Sequence, residues 1–325
     1  MPKHCSIRFP TLRLSLLIGL TASILAGCGT SRPSSSPSVN HNSRVSIIVI
    51  HHTTGNFEDS LRILTQPSDR PVSSHYLIPE PGDPSYERHR MRVYQLVPEA
   101  RRAWHAGDSS WGGKIGLNDQ SIGIELVNQT YCHTSSVENN GSDGQKSRIC
   151  FYPDFADGQI DLLVALLAKI RERHPDIQPT RIVGHADIAP DRKIDPGPRF
   201  PWQRLYRLGY GAWFDDATVI RYWEQFAQHP LPMCNVQFGL QVYGYGIETS
   251  GVLDEHTRNV LRAFQMHFRP SEVSSEATTD TVAILVALIE KYYPERLDEL
   301  LGVPESCATD DHPVGEAEGA TLDAI

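Results

Sequence analysis

Residues 45–52 read VSIIVIHH, an almost unbroken apolar run, rich in β-branched side chains, that ends in two histidines. A strand with one face in water alternates polar and apolar residues, whereas a strand buried on both faces is apolar at nearly every position. We therefore expect a buried strand from Val45 to about His51, inside a sheet that is covered on both sides.

Other segments of the first two thirds of the chain predict further strands and two helices. One helix is expected over 56–68, ending near Pro67, and a longer one over 157–175, where apolar residues recur at helical spacing. Strands mixed with helices in this way predict an α/β fold around one mixed sheet flanked by helices. The further strand candidates are HYLIP (75–79), RVYQLV (92–97), SIGIELVN (121–128) and RIVGH (181–185).

Helical patterns replace strand patterns after GYGAWFDD (209–216). Three helices with Gly-rich turns are expected, and Asp254 and Thr278 are candidate N-caps for the last two. The length of 325 residues suggests two folded domains. We place an α/β domain at 45–212, a connecting segment at 213–231, a three-helix domain at 232–304 and an acidic tail at 305–325. The helical segments are QFGLQVYGYG (237–246), DEHTRNVLRAFQMHF (254–268) and TDTVAILVALIEKYY (279–293).

The first residues have the pattern of a targeting signal. A basic start is followed by an apolar run from Ser15 to Cys28, which is short for a membrane span. The run ends in LAGC (25–28), which resembles the lipobox of bacterial lipoproteins, so we expect a signal peptide over 1–27 and lipidation of Cys28. The alternative is an ordinary secretory signal cleaved nearby.

A Ser/Pro-rich stretch follows the predicted lipidation site. Residues 28–44 contain few apolar side chains, which indicates a disordered tether. Gly29 stands where an Asp would favour retention in the inner membrane. The expected location is therefore the periplasmic face of the outer membrane. The formal net charge of −9 argues against a general nucleic-acid binder.

Four cysteines remain once the signal peptide and Cys28 are set aside. An even number in an oxidising compartment predicts disulfides, with three possible pairings. We expect the pairs Cys132–Cys150, around a polar insert, and Cys234–Cys307, around the helical region. A zinc site of four thiols is the alternative, although no CxxC spacing supports it.

Two histidines and one aspartate are candidate metal ligands. His51 ends the first strand, His185 ends another, and Asp195 lies in a proline-bounded loop ten residues later. Two imidazoles and a carboxylate are a ligand set for catalytic zinc, which keeps a position for water. Spacing alone leaves other possibilities open: a histidine at a strand end is often structural. Asp187 and Asp191 are alternative carboxylate ligands, although Asp187 would face away from His185 on an extended segment.

A series of motifs resembles the zinc N-acetylmuramoyl-L-alanine amidases of the amidase-2 family, and within it the outer-membrane lipoprotein branch. The match runs in order from His51 to Trp202. The resemblance implies a fold like that of the peptidoglycan-recognition proteins. It also implies an enzyme that cleaves the amide between N-acetylmuramic acid and L-alanine. The motifs are IVIHHTTG (48–55), SSHYLI (73–78), VYQLVPE (93–99), AWHAG (103–107), LNDQSIGIELVN (117–128) and VGHADIAPDRKIDPGPRFPW (183–202).

The resemblance also implies individual roles. His51, His185 and Asp195 would bind one Zn²⁺ per chain, Glu125 would act as the general acid and base, and Lys193 would stabilise the transition state. Without the resemblance, Glu125 would be interpreted as an exposed strand carboxylate and Lys193 as a surface charge.

Three more residues are candidates for contact with substrate. His105 is expected to line the cleft, with a buried structural role as the alternative. His52 would form a wall of the pocket. Arg192 would pair either with a substrate carboxylate or with Asp187.

The C-terminal helices resemble the type 1 peptidoglycan-binding module. The resemblance rests on a Gly-Tyr turn at 244–245, on Gly251, Asp254 and Thr257, and on AFQ (263–265). A role in stabilising the amidase is the alternative to binding. The expected protein is thus a monomeric, lipid-anchored zinc amidase in cell-wall turnover. Its alternative is a non-catalytic lipoprotein that binds muropeptides or tethers the wall.

Overall fold

The computed structural model describes the greater part of the chain. The predicted signal peptide, Cys28, most of the 132–150 insert and nearly all of the acidic tail lie outside the described residues. The described residues are 35–40, 43–134, 148–302, 304 and 307.

The strands of the described chain are β1 (Ile47–His52), β2 (Tyr76–Ile78), β3 (Tyr94–Gln95), β4 (Ser110–Trp111), β5 (Lys114–Ile115), β6 (Ser121–Leu126), β7 (Tyr131–Thr134), β8 (Arg148–Phe151) and β9 (Ile182–Gly184). Its α-helices are α1 (Phe57–Thr65), α2 (Asp157–Arg173), α3 (His185–Ile188), α4 (Trp202–Arg207), α5 (Asp216–Gln228), α6 (Met233–Tyr243), α7 (Glu255–Phe268), α8 (Thr279–Tyr292) and α9 (Leu297–Leu301).

Five strands form the main sheet, in the order β3-β2-β6-β1-β9. The strands β2, β6, β1 and β9 run parallel to one another, and β3 pairs antiparallel with β2. Every residue of β1 is buried, as expected for an inner strand with both faces covered. The predicted α/β fold with a mixed sheet is confirmed.

Helix α2 supplies much of the apolar cover on the sheet. Its buried residues Ile160, Leu163, Leu167 and Ile170 recur at helical spacing and belong to the same hydrophobic cluster as the apolar residues of β1. The helix ends at Arg173, just before Pro175. Both predicted helices of this region are present, with ends within three residues of those expected.

The helical region contains the three expected helices as α6, α7 and α8. Helix α7 is capped by Asp254, whose side chain accepts a hydrogen bond from the Thr257 N–H; Thr278 caps α8 without such a bond. Helices α5 and α9 were not expected. Apolar residues of α6 to α8 share one hydrophobic cluster with the sheet, and from Ser43 onward the chain is one compact unit. The proposed domain boundaries within it stay a prediction.

The structure joins Cys132 to Cys150 and Cys234 to Cys307, which is the predicted pairing. Cys132 and Cys150 lie directly opposite each other in the β7–β8 hairpin, which the sequence did not predict. Among the described residues, no helix has the length and apolar character that crossing a bilayer requires.

Candidate metal centre

Three neighbouring parallel strands bring the predicted site residues together at their carboxyl ends. His51 pairs in register with Glu125 of β6, so both side chains lie on the same face of the sheet. On the other side of β1, Ile50 pairs with Gly184, and His185 follows directly as the first residue of α3. The carboxyl ends of parallel strands are a common location for ligand sites in α/β folds.

The three predicted ligands meet in a tight triangle. The Nδ1 atom of His51 lies 3.0 Å from the Nδ1 atom of His185 and 3.0 Å from Oδ2 of Asp195. The third side, from His185 Nδ1 to Asp195 Oδ2, measures 3.1 Å. Zinc bonds of about 2.0–2.2 Å separate ligands of a tetrahedron by roughly 3.3–3.6 Å, so a small expansion of the triangle would accommodate the ion. All three residues are buried.

A hydrogen-bond chain behind His51 fixes which of its nitrogens carries the proton. The Ser121 hydroxyl donates its single proton to the Leu117 carbonyl at 2.6 Å. The Ser121 oxygen must then accept from His105 Nε2–H, 3.1 Å away. His105 Nδ1 is therefore an acceptor for His51 Nε2–H at 3.0 Å. This leaves a lone pair on His51 Nδ1, the atom in the triangle.

His185 is held in the same protonation pattern by the backbone. Its Nε2–H donates to the Ala106 carbonyl at 3.2 Å, so its Nδ1 atom also presents a lone pair. Burial and the neighbouring His185 lower the pKa of His51 to about 4, which keeps that ring neutral. Burial raises the pKa of Asp195, but the adjacent His185 and His51 outweigh it and hold this pKa well below its ordinary value. Two lone pairs and a carboxylate thus converge on one point, and these donors fit a divalent cation.

Glu125 lies beside the triangle at the floor of a cavity. It is partly buried, and its Oε2 atom is shielded from water and has no hydrogen-bond partner among the described residues. Burial, and secondarily the charge of Asp195, raises the pKa of Glu125 to about 8, while the nearby Lys193 opposes this shift. A carboxyl group that titrates near neutral pH is suited to general acid–base chemistry.

The cavity has a volume of about 600 Å³ and opens in front of the three ligands. Strand β7 contributes Tyr131 and Cys132 to its wall, so the first disulfide borders the cavity. Trp104 is also exposed there. The predicted metal-binding, catalytic and substrate-binding residues all line this cavity: His51, His52, His105, Glu125, His185, Arg192, Lys193 and Asp195.

The three predicted substrate-binding residues differ in how free their polar groups are. Both ring nitrogens of His105 already have partners in the chain to His51. Arg192 donates to the carbonyl oxygens of Ala106 and Asp108, and no bond to Asp187 is formed. His52 is buried, and neither of its ring nitrogens has a partner among the described residues. The ring of His52 therefore forms part of the cavity wall, while both of its nitrogens are shielded from solvent.

Sequence reasoning missed Ser121 and Gly123, which support His105. A Cβ added to Gly123 would lie 2.5 Å from Cγ of the His105 ring, so only glycine leaves room for that ring. A glycine inside a strand often marks a close approach of this kind, and this signal was present in the sequence.

Replacing Gly123 by alanine is expected to weaken zinc binding by about 10- to 100-fold, the usual effect of disturbing an outer-shell partner. The added methyl group displaces His105 and with it the acceptor that orients His51. Competition with a chromophoric chelator measures the affinity. Gly55→Ala is the control, because its new Cβ has no contact nearer than 3.9 Å. Equal zinc affinity in the two variants would contradict the assigned support role.

A parallel-sheet scaffold, three converging metal-type ligands and a partly buried carboxyl group with a raised pKa define a hydrolase with a candidate metal centre. Comparison with known proteins supports this assignment to the hydrolases. The Amidase_2 model, described as N-acetylmuramoyl-L-alanine amidase, matches residues 41–198. The chain is 42% identical over 250 residues to N-acetylmuramoyl-L-alanine amidase AmiD of Escherichia coli K12, covering 77% of this chain and 84% of that protein.

Two solved structures are similar along most of their length. The crystal structure of AmpDh3 from Pseudomonas aeruginosa in complex with anhydromuramic pentapeptide has a TM-score of 0.69 and 41% identity, covering 83% of this chain and 99% of that one. AmiD from E. coli in complex with anhydro-N-acetylmuramic acid-L-Ala-D-gamma-Glu-L-Lys has a TM-score of 0.66 and 41% identity, covering 79% and 93%. The chain belongs to the Amidase_2 family of N-acetylmuramoyl-L-alanine amidases, and the predicted enzyme class is confirmed.

Proposed function

We propose that this amidase is zinc-dependent and that it hydrolyses the amide between N-acetylmuramic acid and L-alanine in peptidoglycan fragments. The observation that carries the proposal is the triangle of His51 Nδ1, His185 Nδ1 and Asp195 Oδ2, with sides of 3.0, 3.0 and 3.1 Å, beside Glu125. The binding-only alternative is less well supported, since all three ligands and Glu125 are present.

The ligands and the carboxyl group divide the chemistry between them. A Zn²⁺ ion held by His51, His185 and Asp195 would polarise the scissile carbonyl and lower the pKa of the attacking water toward neutrality. Glu125 would accept the proton of that water and deliver it to the leaving nitrogen of L-alanine. Its position in register beside His51 supports this role.

Lys193 is assigned to the developing negative charge. It lines the cavity two residues before Asp195, and its charge acts on both Glu125 and His51, whose pKa values it lowers. An ammonium group that lines the cavity beside the ligands would stabilise the oxyanion of the tetrahedral intermediate.

The lining of the cavity and two related structures support muropeptide fragments as substrates. The rim of the cavity carries the exposed side chains of Trp104 and Tyr131, and His52 forms part of its wall. The related AmpDh3 and AmiD structures hold anhydromuramic peptides. We infer that this chain accepts a muropeptide with an anhydro end, with the aromatic side chains of Trp104 and Tyr131 as surfaces for the sugar.

The decisive assay incubates the full chain with an anhydromuramyl peptide, with and without a chelator. Appearance of a free L-alanine amine that chelation abolishes and Zn²⁺ restores is the expected result. A zinc-loaded protein that releases no amine from any muropeptide would rule the activity out. Amine release that survives complete metal removal would instead disprove the zinc dependence.

Two features of the whole chain remain proposals. Lipidation of Cys28 would attach the enzyme to the periplasmic face of the outer membrane, and mass spectrometry of protein extracted from membranes tests this. The resemblance of the C-terminal helices to a peptidoglycan-binding module supports wall binding, which a sacculus pull-down tests.

A further inference from the structure

The loop between two proposed metal ligands contains a buried carboxylate with three hydrogen-bond donors. Asp187 is 2% exposed. Its Oδ1 atom accepts from the Tyr245 hydroxyl at 2.7 Å, and its Oδ2 atom accepts from the Gly184 N–H at 2.7 Å and pairs with His267 Nδ1 at 2.8 Å. Two of these three donors belong to the C-terminal helical region. The expectation that Asp187 lies on an extended segment was wrong, because residues 185–188 form α3.

The same helix that supplies His267 contacts the rest of this loop. His256 Nδ1 lies 2.8 Å from Oδ2 of Asp191, and Asn259 Nδ2 donates to its Oδ1 at 3.0 Å. Arg262 donates to the Pro190 carbonyl at 2.9 Å. These residues of α7 recur at intervals close to the helical repeat, so one face of the helix follows the loop from Asp191 back to Asp187. We call the contacts of His256, Asn259, Arg262 and His267 with this loop the α7 clamp.

The clamped loop is tied to both ligands that it separates. His185 is the first residue of α3, and Asp187 accepts the Gly184 N–H at the start of that helix. The Ala186 N–H donates to the backbone carbonyl of Asp195 at 2.8 Å. A displacement of α3 would therefore move His185 directly and Asp195 through one hydrogen bond.

His267 is itself held rigidly. It is 3% exposed, and its ring stacks on Trp202 with 3.8 Å between centroids and an angle of 15°. Trp202 begins α4, which follows the loop from His185 to Asp195 in sequence. The donor to Asp187 thus has little freedom to move, as a side chain that positions another must.

We propose that the C-terminal region acts through the α7 clamp as a positioning element of the metal centre, with His267, Tyr245 and Asp187 as the buried positioning residues. The inference rests on the proposed zinc site and gives the C-terminal helices a specific role beyond wall binding or general stabilisation of the amidase. It also assigns the two aspartates that the ligand triangle does not use: both anchor the loop between His185 and Asp195 to the C-terminal region.

The test compares full-length variants of decreasing severity. His267→Ala removes the donor to Asp187, whereas His267→Asn can place an amide N–H where Nδ1 lies. Asp191→Ala removes an exposed anchor without leaving a buried charge, so it is expected to fold even if the buried variant does not. Arg258→Ala is the control, since Arg258 lies on the exposed face of α7 and pairs with Glu276, away from the loop.

Zinc affinity by chelator competition and hydrogen exchange of amides 184–195 in the metal-free protein are the two readouts. His267→Ala is expected to weaken zinc binding by about 10- to 100-fold, as for other outer-shell partners. Asp191→Ala should weaken zinc binding by a smaller factor, and His267→Asn should recover most of the loss. The loop amides should exchange fastest in His267→Ala, more slowly in Asp191→Ala and at nearly the parent rate in His267→Asn. Arg258→Ala should match the parent protein in both readouts.

The outcomes separate this proposal from the zinc proposal. A parent protein that fails to bind zinc overturns the zinc site, and faster loop exchange in Asp191→Ala would still support the clamp. Zinc affinity and loop exchange in both Asp191→Ala and His267→Ala equal to those of the parent protein would overturn the clamp while leaving the zinc site intact.

Discussion

Replacing Glu125 by glutamine is expected to reduce kcat by about 10²- to 10⁴-fold, the range typical of a lost general acid–base group. Zinc should remain bound, because Glu125 is not part of the triangle of His51, His185 and Asp195. Glutamine keeps the shape and the hydrogen-bonding capacity of the neutral acid but can neither accept nor release the proton. Steady-state amine release, with the zinc content of each sample measured in parallel, gives the result.

Glu80 provides a matched control for this substitution. It is also partly buried, and its pKa is likewise raised by burial, but it does not line the cavity. Glu80→Gln should therefore keep the activity of the parent protein. A zinc-loaded Glu125→Gln variant with full kcat would show that another group is the base.

The part of the fold that the sequence predicted well is the part encoded locally. β1 is apolar at almost every position because helices and strands surround it, and that pattern is visible without knowledge of its neighbours. The β4–β5 hairpin gave no such signal. Trp111 in it is buried against Tyr243 and Tyr245, and the Gly112 N–H donates to the Gly244 carbonyl at 2.7 Å, contacts between segments far apart in sequence.

The functional site likewise has a part that the sequence predicts and a part that it does not. His51, His185 and Asp195 were identified because their motifs resemble a family, and the structure brings them together. Of the residues that support them, Gly123 gave a signal in the sequence, but the role of Ser121 could not be derived, since it depends on which acceptor receives its single proton. The partner of Asp187 lies 80 residues away in α7, and no spacing rule connects such positions.

Removing Glu125 is also expected to change how the stability of the metal-free protein depends on pH. The ordinary pKa of this carboxyl group is 4.5, and burial raises it to about 8 in the folded state. Between these values the unfolded chain has released a proton that the folded chain still holds. The free energy of unfolding must therefore fall as pH rises through this window, by at most about 1.4 kcal/mol per pH unit from this one group.

Glu125→Gln eliminates this loss, because the amide stays neutral in both states. The difference in unfolding free energy between the variant and the parent protein should be smallest below pH 4.5 and should grow in favour of the variant up to about pH 8. The histidines contribute equally to both proteins, so the difference isolates Glu125. Urea unfolding at several pH values in excess chelator measures it. A pH-independent difference would mean that Glu125 is ionised in the metal-free fold, and its assignment as a buried proton carrier would then have to be abandoned.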